Sequence, residues 1–394
     1  SEDLTISATG QLGSDGALSL SAAHIAQSGV IRADTLEITA SSLSQSAAVY
    51  ETGGQVQSGL ILADDSLSLL VSGILLNSGI LMTGSGDMVL LSGSLSNTSS
   101  GQFFSSGGIL VAGTGYDVSS PLDVVGLGDL LRSGGGVLPG AAVYSEVDNA
   151  GLISSGSGAS FVASGLVNSG MVQSQGSLSV LAVSRDGVLP GFANSGGFVS
   201  VGDMSLVLPS GGANSGVIFA GRSGSDDGSV SGIISDLIVT GRDIDLSAGS
   251  QTSALGLVDM VLSGSLTFGA GDGLVDTDSV GAFVSGGSVA IEAGSAGLGV
   301  ESVLSAQNGD MVLALSGDLD HQGSLFASGS VAVSGDGLVL AAGSVISGRD
   351  IDVQALGDVS HGGMLVASEG ILEDGRRANS EVNSLTLSVG GAFD

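Results

Sequence analysis

The chain repeats itself at a step of about 20 residues, and this periodicity constrains its fold more than any other feature. From Gln57 the sequence reads QSGLILADDSLSLLVSGILL, and from Asn77 it reads NSGILMTGSGDMVLLSGSLS, 20 residues further on. The tripeptide Asn-Ser-Gly recurs at Asn194 and Asn214, again 20 residues apart. Internal repeats of this length indicate a solenoid, in which each repeat forms one unit and stacks on the next.

Shorter cassettes recur in the same way. An Asp-Met dipeptide followed by apolar residues appears in related hexapeptides that begin at Gly86, Gly202, Val258 and Gly309. The pentapeptide Gly-Arg-Asp-Ile-Asp begins at Gly241 and again at Gly348. His321 and His361 lie 40 residues apart, which is two repeat steps. We therefore expect these two histidines to stack two coils apart.

Within the repeats, apolar residues alternate with small or polar ones, as in Leu178-Ser179-Val180 and Val331-Ala332-Val333. This alternation is typical of short β-strands, and Ser-Gly, Asn-Ser-Gly and Gly-Asp between them favour turns. Two or three strands with glycine corners in about 20 residues predict one coil of a parallel β-helix. Residues 1–394 are thus expected to form a single all-β rod of roughly 20 coils, about 95 Å long at ~4.8 Å per coil.

Two regions depart from the period and predict excursions from the rod. One covers residues 115–150 and carries Pro121, Pro139 and the pair Leu130-Leu131, while the other covers residues 369–384. A smaller excursion is expected at Arg185 to Pro190. Loops on a rigid scaffold are the usual place for recognition, although a tolerated insertion without a role explains them equally well.

Composition agrees with a β-solenoid and excludes several partners. The 394 residues include 69 glycines, 3% aromatic and 42% hydrophobic residues, which suits a narrow core of small side chains. The net charge is −31, all eight basic residues are arginine, and no lysine occurs. This charge argues against a nucleic-acid partner and a polybasic membrane patch. No apolar stretch approaches the roughly 18–20 residues of a membrane helix, so membrane insertion is not expected.

The absence of cysteine fits, weakly, a chain that is exported unfolded. Ser1 begins no basic region or signal-peptide core. We therefore expect either that a signal was removed or that the sequence is a piece of a longer protein.

The sequence offers no convincing catalytic or metal-binding residues. The only histidines are His24, His321 and His361, and we interpret them as exposed turn residues. His321 and His361 would stack roughly 10 Å apart, too far to share one metal directly. Without lysine there is no Walker A loop, and no GxSxG elbow has a plausible histidine partner. The glycines around Gly126 to Gly128 are expected by chance at this glycine content.

Acidic residues offer the strongest alternative. Carboxylates could meet on one face at Asp64-Asp65, Asp226-Asp227, Asp243 with Asp245, and Asp350 with Asp352. Parallel β-helix enzymes that act on polysaccharides use such carboxylates, often with calcium or a basic residue. However, Arg242-Asp243 recurs as Arg349-Asp350, which favours a structural turn in which arginine neutralises its neighbour. Gly113 to Asp117 resembles one calcium-binding nonapeptide, but such sites need tandem copies, so a turn is predicted and calcium binding stays open.

The pattern Asn-Ser-Gly, then alternating leucines, then a second asparagine resembles the repeat region of the filamentous haemagglutinin family of two-partner-secretion exoproteins. The resemblance rests on residues 77–97, 168–178 and 194–217. It implies a right-handed parallel β-helix, an outer-membrane transporter as a partner during export, and a surface fibre. The family's amino-terminal secretion signature and terminal toxin module are not found.

We therefore expect an extracellular or cell-surface structural stalk or adhesive filament segment without catalytic, cofactor or metal residues. Its partners would be a host or neighbouring cell surface, or copies of itself. One alternative is a subunit that assembles into a surface layer or fibre. The other is a polysaccharide-acting enzyme, which would need an open groove lined by carboxylates and aromatic residues.

Overall fold

The structure is a computed structural model that describes residues 2–50, 56–132, 138–184, 191–222, 233–269, 281–367 and 383–394. It is nearly all β, with 61% strand and 3% helix. The chain divides into two compact units, Ser1–Ser210 and Gly211–Asp394. Each unit is a stack of coils whose strands pair in parallel with the equivalent strands one coil away, so the predicted parallel β-helix is confirmed.

Each regular coil contains three strands, which we call its first, second and third faces in chain order. The first face follows the turn that carries Asn-Ser-Gly in several coils. Coils without insertions are 19 to 22 residues long, as shown by the contacts between Asn149 and Asn168 and between Thr83 and Ser105 on neighbouring coils. The 20-residue step in the sequence is therefore the length of one coil.

In the first unit, five long strands run through a corner and serve two or three faces: Ala17–Gln27, Val30–Gln45, Leu60–Asn77, Met88–Asn97 and Ala159–Asn168. The remaining first-face strands are Gln11–Gly13, Ile80–Thr83, Gln102–Ser105, Leu152–Ser155, Met171–Ser174 and Gly197–Ser200. The remaining second-face strands are Ile109–Ala112, Leu178–Val183 and Met204–Leu208. Those of the third face are Leu4–Ile6, Ser145–Asn149 and Phe192–Asn194. Val49–Tyr50 and Val56–Ser58 form a small antiparallel pair outside the stack.

The second unit repeats the same order with shorter strands. Its first face comprises Val217–Ala220, Gln251–Ala254, Phe283–Gly286, Val303–Ala306, Ser324–Ala327, Val345–Gly348 and Met364–Ala367. Its second face comprises Leu237–Gly241, Leu257–Leu262, Ser288–Ala293, Met311–Leu315, Val331–Gly335, Ile351–Ala355 and Leu385–Val389. Its third face comprises Gly212–Asn214, Ile244–Leu246, Ser265–Phe268, Ser295–Leu298, Leu319–His321, Leu338–Leu340 and Val359–His361.

Inward side chains stack into apolar columns, as the alternating sequence predicts. On the second face of the first unit, Leu36 pairs with Leu67, Leu67 with Met88, and Met88 with Ile109. Each of these side chains is at most 2% exposed. Burying a large aliphatic side chain contributes roughly 1.5–3 kcal/mol, so repeated columns of this kind are a main source of stability.

Asparagine forms an inward column that the sequence analysis did not predict. In the first unit, the third-face strands end on a buried amide in successive coils: Gln27, Gln45, Asn77, Asn97, Asn149, Asn168 and Asn194. We call these residues the amide ladder. Asn77 Nδ2 donates to Asn97 Oδ1 at 2.8 Å, and Asn97 Nδ2 donates to Asn149 Oδ1 at 2.7 Å. The ladder thus joins coils through side chains as well as through the backbone.

The glycine of Asn-Ser-Gly is required by close packing between coils. A Cβ on Gly79 would overlap the carbonyl oxygen of Gly59, and a Cβ on Gly170 would overlap that of Gly151. Asn77 Oδ1 also accepts the N–H of Gly79 at 3.1 Å. The tripeptide therefore places an inward amide, a turn residue and a close backbone contact in fixed order.

The excursion predicted at residues 115–150 contains a helix, Val124–Arg132, and a short 3₁₀ helix, Ala141–Val143. Residues 145–149 already form a third-face strand, which pairs with the coils on both sides. The excursion predicted at Arg185 to Pro190 and residues 369–382 of the one predicted at 369–384 lie outside the described residues.

Candidate functional site

The two Arg-Asp cassettes are structural turns with nearly the same hydrogen bonds. Arg242 Nε donates to Asp243 Oδ2 at 2.7 Å, while Asp243 Oδ1 accepts the N–H of Ser265 at 2.8 Å, one coil further on. The N–H of Ser265, with help from Arg242, keeps the pKa of the Asp243 carboxyl below its ordinary value. These contacts confirm that arginine neutralises the neighbouring carboxylate.

At the second cassette, Arg349 Nε donates to Asp350 Oδ2 at 3.2 Å, and Asp350 Oδ1 accepts the N–H of Ser384 at 2.8 Å. The pKa of Asp350 is lowered, first by the backbone N–H of Ser384. The two cassettes nevertheless lie on different faces, because Ile244 begins a third-face strand and Ile351 begins a second-face strand. The motif therefore belongs to a type of corner rather than to one column.

The same aspartate contact recurs without arginine. In each case Oδ1 accepts a backbone N–H of the next coil at 2.6 to 2.9 Å; the pairs are Asp87–Gly108, Asp236–Leu257, Asp310–Ser330, Asp318–Gly337 and Asp358–Ala392. A glycine precedes several of the donors, and a Cβ there would overlap the aspartate oxygen, as at Gly107, Gly256, Gly329 and Gly391. We call this arrangement the Asp–Gly clasp.

One of the predicted cassette alignments is wrong. The hexapeptide at Val258 resembles the one at Gly309, but Val258 pairs with Val289, which in turn pairs with Met311. Val258 therefore takes the position of Met311, and Asp259 lies within a strand rather than at the corner that Asp310 occupies. The similarity of the letters, shifted by two residues, misled the alignment because every second strand residue is apolar.

The remaining acidic candidates have separate partners. Arg32 Nη2 donates to Asp64 Oδ2 at 2.9 Å, whereas Asp65 Oδ1 accepts from Ser85 Oγ at 3.2 Å. Asp352 Oδ2 accepts from Gln354 Nε2 at 2.8 Å. Asp245 lies outward on a third-face strand. Asp226-Asp227 lies outside the described residues.

The histidines differ from the prediction at one position above all. His24 is exposed and its Nδ1 lies 2.8 Å from Ser42 Oγ. His321, predicted to be an exposed turn residue, is instead fully buried at the end of a strand, with Nε2 3.2 Å from the carbonyl oxygen of Val345. Burial lowers the pKa of His321, and its Nδ1 is buried without a hydrogen-bond partner.

The predicted spacing of the last two histidines is confirmed, because His321 pairs with Leu340 and Leu340 pairs with His361. His361 is half-buried at the end of a strand, and its ring lies 6.2 Å from that of Phe393. Both histidines therefore extend an inward column of the second unit. Within the described ranges, no three His, Asp or Glu side chains are placed to hold a metal ion.

The predicted calcium-like segment forms a turn that opens the excursion. Tyr116 donates its N–H to Gly113, and Asp117 Oδ1 accepts both the N–H and the hydroxyl of Ser119. The hydroxyl of Tyr116 accepts the N–H of Leu122 at 2.8 Å. Asp123 Oδ1 then accepts the N–H of Gly126 at 2.8 Å, which caps the start of the helix Val124–Arg132.

This helix covers an apolar strip on the outer side of the second face. Ala112, Val162, Leu181 and Val207 form the strip, and Val162 pairs with Leu181, which pairs with Val207. The helix places Val124 and Leu127 against them. An apolar strip of this size facing water would be costly, so the excursion is an integral part of the first unit. None of the described helices is long and apolar enough to cross a membrane.

A groove of about 530 Å³ lies where the excursion meets the corner between the second and third faces. The excursion contributes Leu138, Pro139 and Ala141, and the coils contribute Gly93, Tyr144, Glu146, Ser164, Val183, Ser184 and Ser210. Burial raises the pKa of Tyr144 to about 12, and its hydroxyl is buried without a partner. This groove is the candidate functional site, and no sequence motif indicated it.

Comparison with family models, curated proteins and solved structures found no match for the chain. Function must therefore be inferred from the chemistry of the coils, the excursion and the groove.

Proposed function

We propose that the chain is a structural segment of a secreted or surface-displayed bacterial exoprotein, which carries an attachment element away from the cell. The observation that carries this proposal is the use of repeated polar residues between coils. The Asp–Gly clasps and the amide ladder engage the carboxylates and amides that recur most regularly in the sequence.

The excursion of the first unit supports a display role. It is docked on the outer side of the coils by a buried apolar cluster, so its surface is held in a fixed position. Loops on a rigid scaffold are well suited to recognition. The resemblance of the Asn-Ser-Gly repeats to those of filamentous haemagglutinins is consistent with attachment to a host or neighbouring cell, and with export through an outer-membrane transporter.

A second candidate is a subunit that associates laterally with its own copies. On the outer side of the first face, Leu62 pairs with Met82 and Met82 pairs with Phe104, and all three are half-exposed. Such a row of apolar side chains on a flat sheet is a common kind of contact surface. The polysaccharide-acting enzyme is less favoured, because Asp243 and Asp350 are bound to arginine and to backbone N–H groups.

Electron microscopy of cells that make the protein, labelled with an antibody to the excursion, tests the proposal. We expect label along single thin fibres that project from the envelope. A continuous lattice would favour the laterally associating subunit instead. Label confined to the medium, together with release of reducing ends from polysaccharides by the purified chain, would overturn both candidates.

A further inference from the structure

We propose that the groove beside the excursion binds an extended, uncharged oligosaccharide. This inference rests on the proposed attachment function and names the class of ligand that the first unit would recognise. It begins from the direction of the groove relative to the coils.

The groove runs across successive coils. Gly93, Glu146, Ser164, Ser184 and Ser210 occupy the same corner in five consecutive coils. Four coil spacings of ~4.8 Å give a length of roughly 19 Å. A site of this length fits several units of a linear polymer better than one small molecule.

The two sides of the groove differ in chemistry. Leu138, Pro139 and Ala141 form an apolar wall from the excursion, while the coil corners present serine hydroxyls. The Ser184 N–H donates to Ser210 Oγ at 2.8 Å, which fixes the Ser210 hydroxyl within the groove. Serine hydroxyls both donate and accept hydrogen bonds. They therefore match a ligand whose groups do the same and whose rings also offer apolar faces, as sugars do.

Charge narrows the class further. The described lining residues include the carboxylate of Glu146 and no basic side chain, and the whole chain carries a net charge of −31. A sulfated or uronic polysaccharide and a nucleic acid would therefore be repelled. An extended peptide would pair with an open strand edge, whereas these corners are turns between strands that already pair with neighbouring coils.

Saturation-transfer NMR with the intact chain tests the inference. The probes are cellohexaose, maltohexaose and chitohexaose, with a heparin hexasaccharide and hexalysine as charged comparators. We expect transfer to at least one neutral hexasaccharide. No transfer to any of the three at millimolar concentration, or stronger transfer to either charged comparator, would overturn the proposal.

Variants locate the binding. Ser164→Tyr fills the groove from the coil side, and Ala141→Tyr fills it from the excursion side, so one variant remains informative if the other fails to fold. Ser96→Tyr, outward on a strand away from the groove, is the matched control. We expect either groove variant to weaken sugar binding at least tenfold and Ser96→Tyr to leave it unchanged. Equal binding by a folded groove variant and the wild type would overturn the proposal.

The outcome is separable from that of the proposed function. Surface fibres without sugar binding would refute the oligosaccharide inference alone. Sugar binding by the purified chain without surface label would refute the display function alone.

Discussion

At the scale of single residues, the turns that join the third face to the first show how one backbone position can be occupied well or badly. Three equivalent four-residue turns in the second unit are closed by the N–H groups of Ser250, Ser302 and Ser344. The third position has a positive φ in each, and it is Gly249 (77°), Glu301 (63°) and Gly343 (90°). A residue with a Cβ is strained in this left-handed region.

Glu301→Gly is therefore expected to stabilise the second unit by up to about 1 kcal/mol, because relief of strain exceeds the entropic cost of glycine. Gly343→Ala is the converse control, since no atom lies within 4 Å of its added Cβ and any loss must come from the backbone. Denaturant unfolding of both variants measures the effect. A loss of stability in Glu301→Gly would show that the glutamate side chain has a stabilising contact that outweighs the strain.

The Asp–Gly clasp makes a second prediction at this scale. A Cβ at position 329 would overlap Asp310 Oδ1, which accepts the N–H of Ser330 at 2.7 Å. We expect Gly329→Ala to cost about 1–3 kcal/mol, because the clasp must open and leave a polar group unpaired. Gly297→Ala is the control, since its added Cβ would meet no atom within 4 Å. Equal unfolding midpoints for the two variants would contradict the clasp.

His321 predicts how stability depends on pH. Burial lowers its pKa, so the unfolded chain binds a proton at a higher pH than the folded chain does. The contribution of neutral His321 is therefore complete above the unfolded pKa of about 6.5 and is lost as the pH falls towards the folded pKa. Asp320 acts in the opposite direction, while the flanking strands Ser295–Leu298 and Leu338–Leu340 carry no titratable side chain.

His321→Leu should consequently reduce the loss of thermal stability between pH 7 and pH 5, since leucine suits a column that already contains Leu298 and Leu340. Exposed His24, changed to serine, provides the control. Parallel pH profiles for wild type and His321→Leu would contradict this assignment of the acid sensitivity.

At the scale of structural elements, the amide ladder ties the coils of the first unit together. Asn97 donates to Asn149 and accepts from Asn77, and it is 1% exposed. Asn97→Leu would leave a donor and an acceptor of its neighbours unpaired in the core. We expect a loss of about 2–4 kcal/mol, compared with a small change for the outward neighbour variant Ser96→Ala. A leucine variant as stable as the wild type would mean that the ladder adds nothing to an apolar column.

The elements also show what the sequence could reveal. Strand alternation and the 20-residue step predicted the coils, because inward and outward positions are fixed by the pleat and repeated by stacking. The inward asparagines escaped notice because Asn-Ser-Gly is also ordinary turn chemistry. Their recurrence immediately after an apolar alternation, as at Asn77 and Asn97, was the available signal.

The helix Val124–Arg132 could not be predicted from local pattern. It has nine residues and contains Gly126 and Gly128, both poor helix formers. Short helices of this kind depend on tertiary packing, here on the apolar strip around Leu181 and Val207. The groove beside it was hidden for the same reason, since its lining comes from five coils and an insertion.

At the scale of the whole molecule, the recurrent polar residues serve two purposes that the sequence does not separate. Most of those described here hold one coil to the next, while a few serines and a glutamate at one corner of the first unit remain at a groove. The central claim is that the recurrent aspartates and asparagines are structural, and that recognition is confined to the excursion and the coil corners beside it.

Hydrogen–deuterium exchange of the wild type and Asp310→Ala, read by mass spectrometry, tests this claim most directly. We expect slow exchange in wild-type peptides that contain the Ser330 amide. In Asp310→Ala, protection should fall in those peptides and in the adjoining coils, while oligosaccharide binding by the first unit stays unchanged. Unaltered exchange around Ser330, together with loss of a measurable reaction or of ligand binding, would contradict the claim and place Asp310 in a functional site.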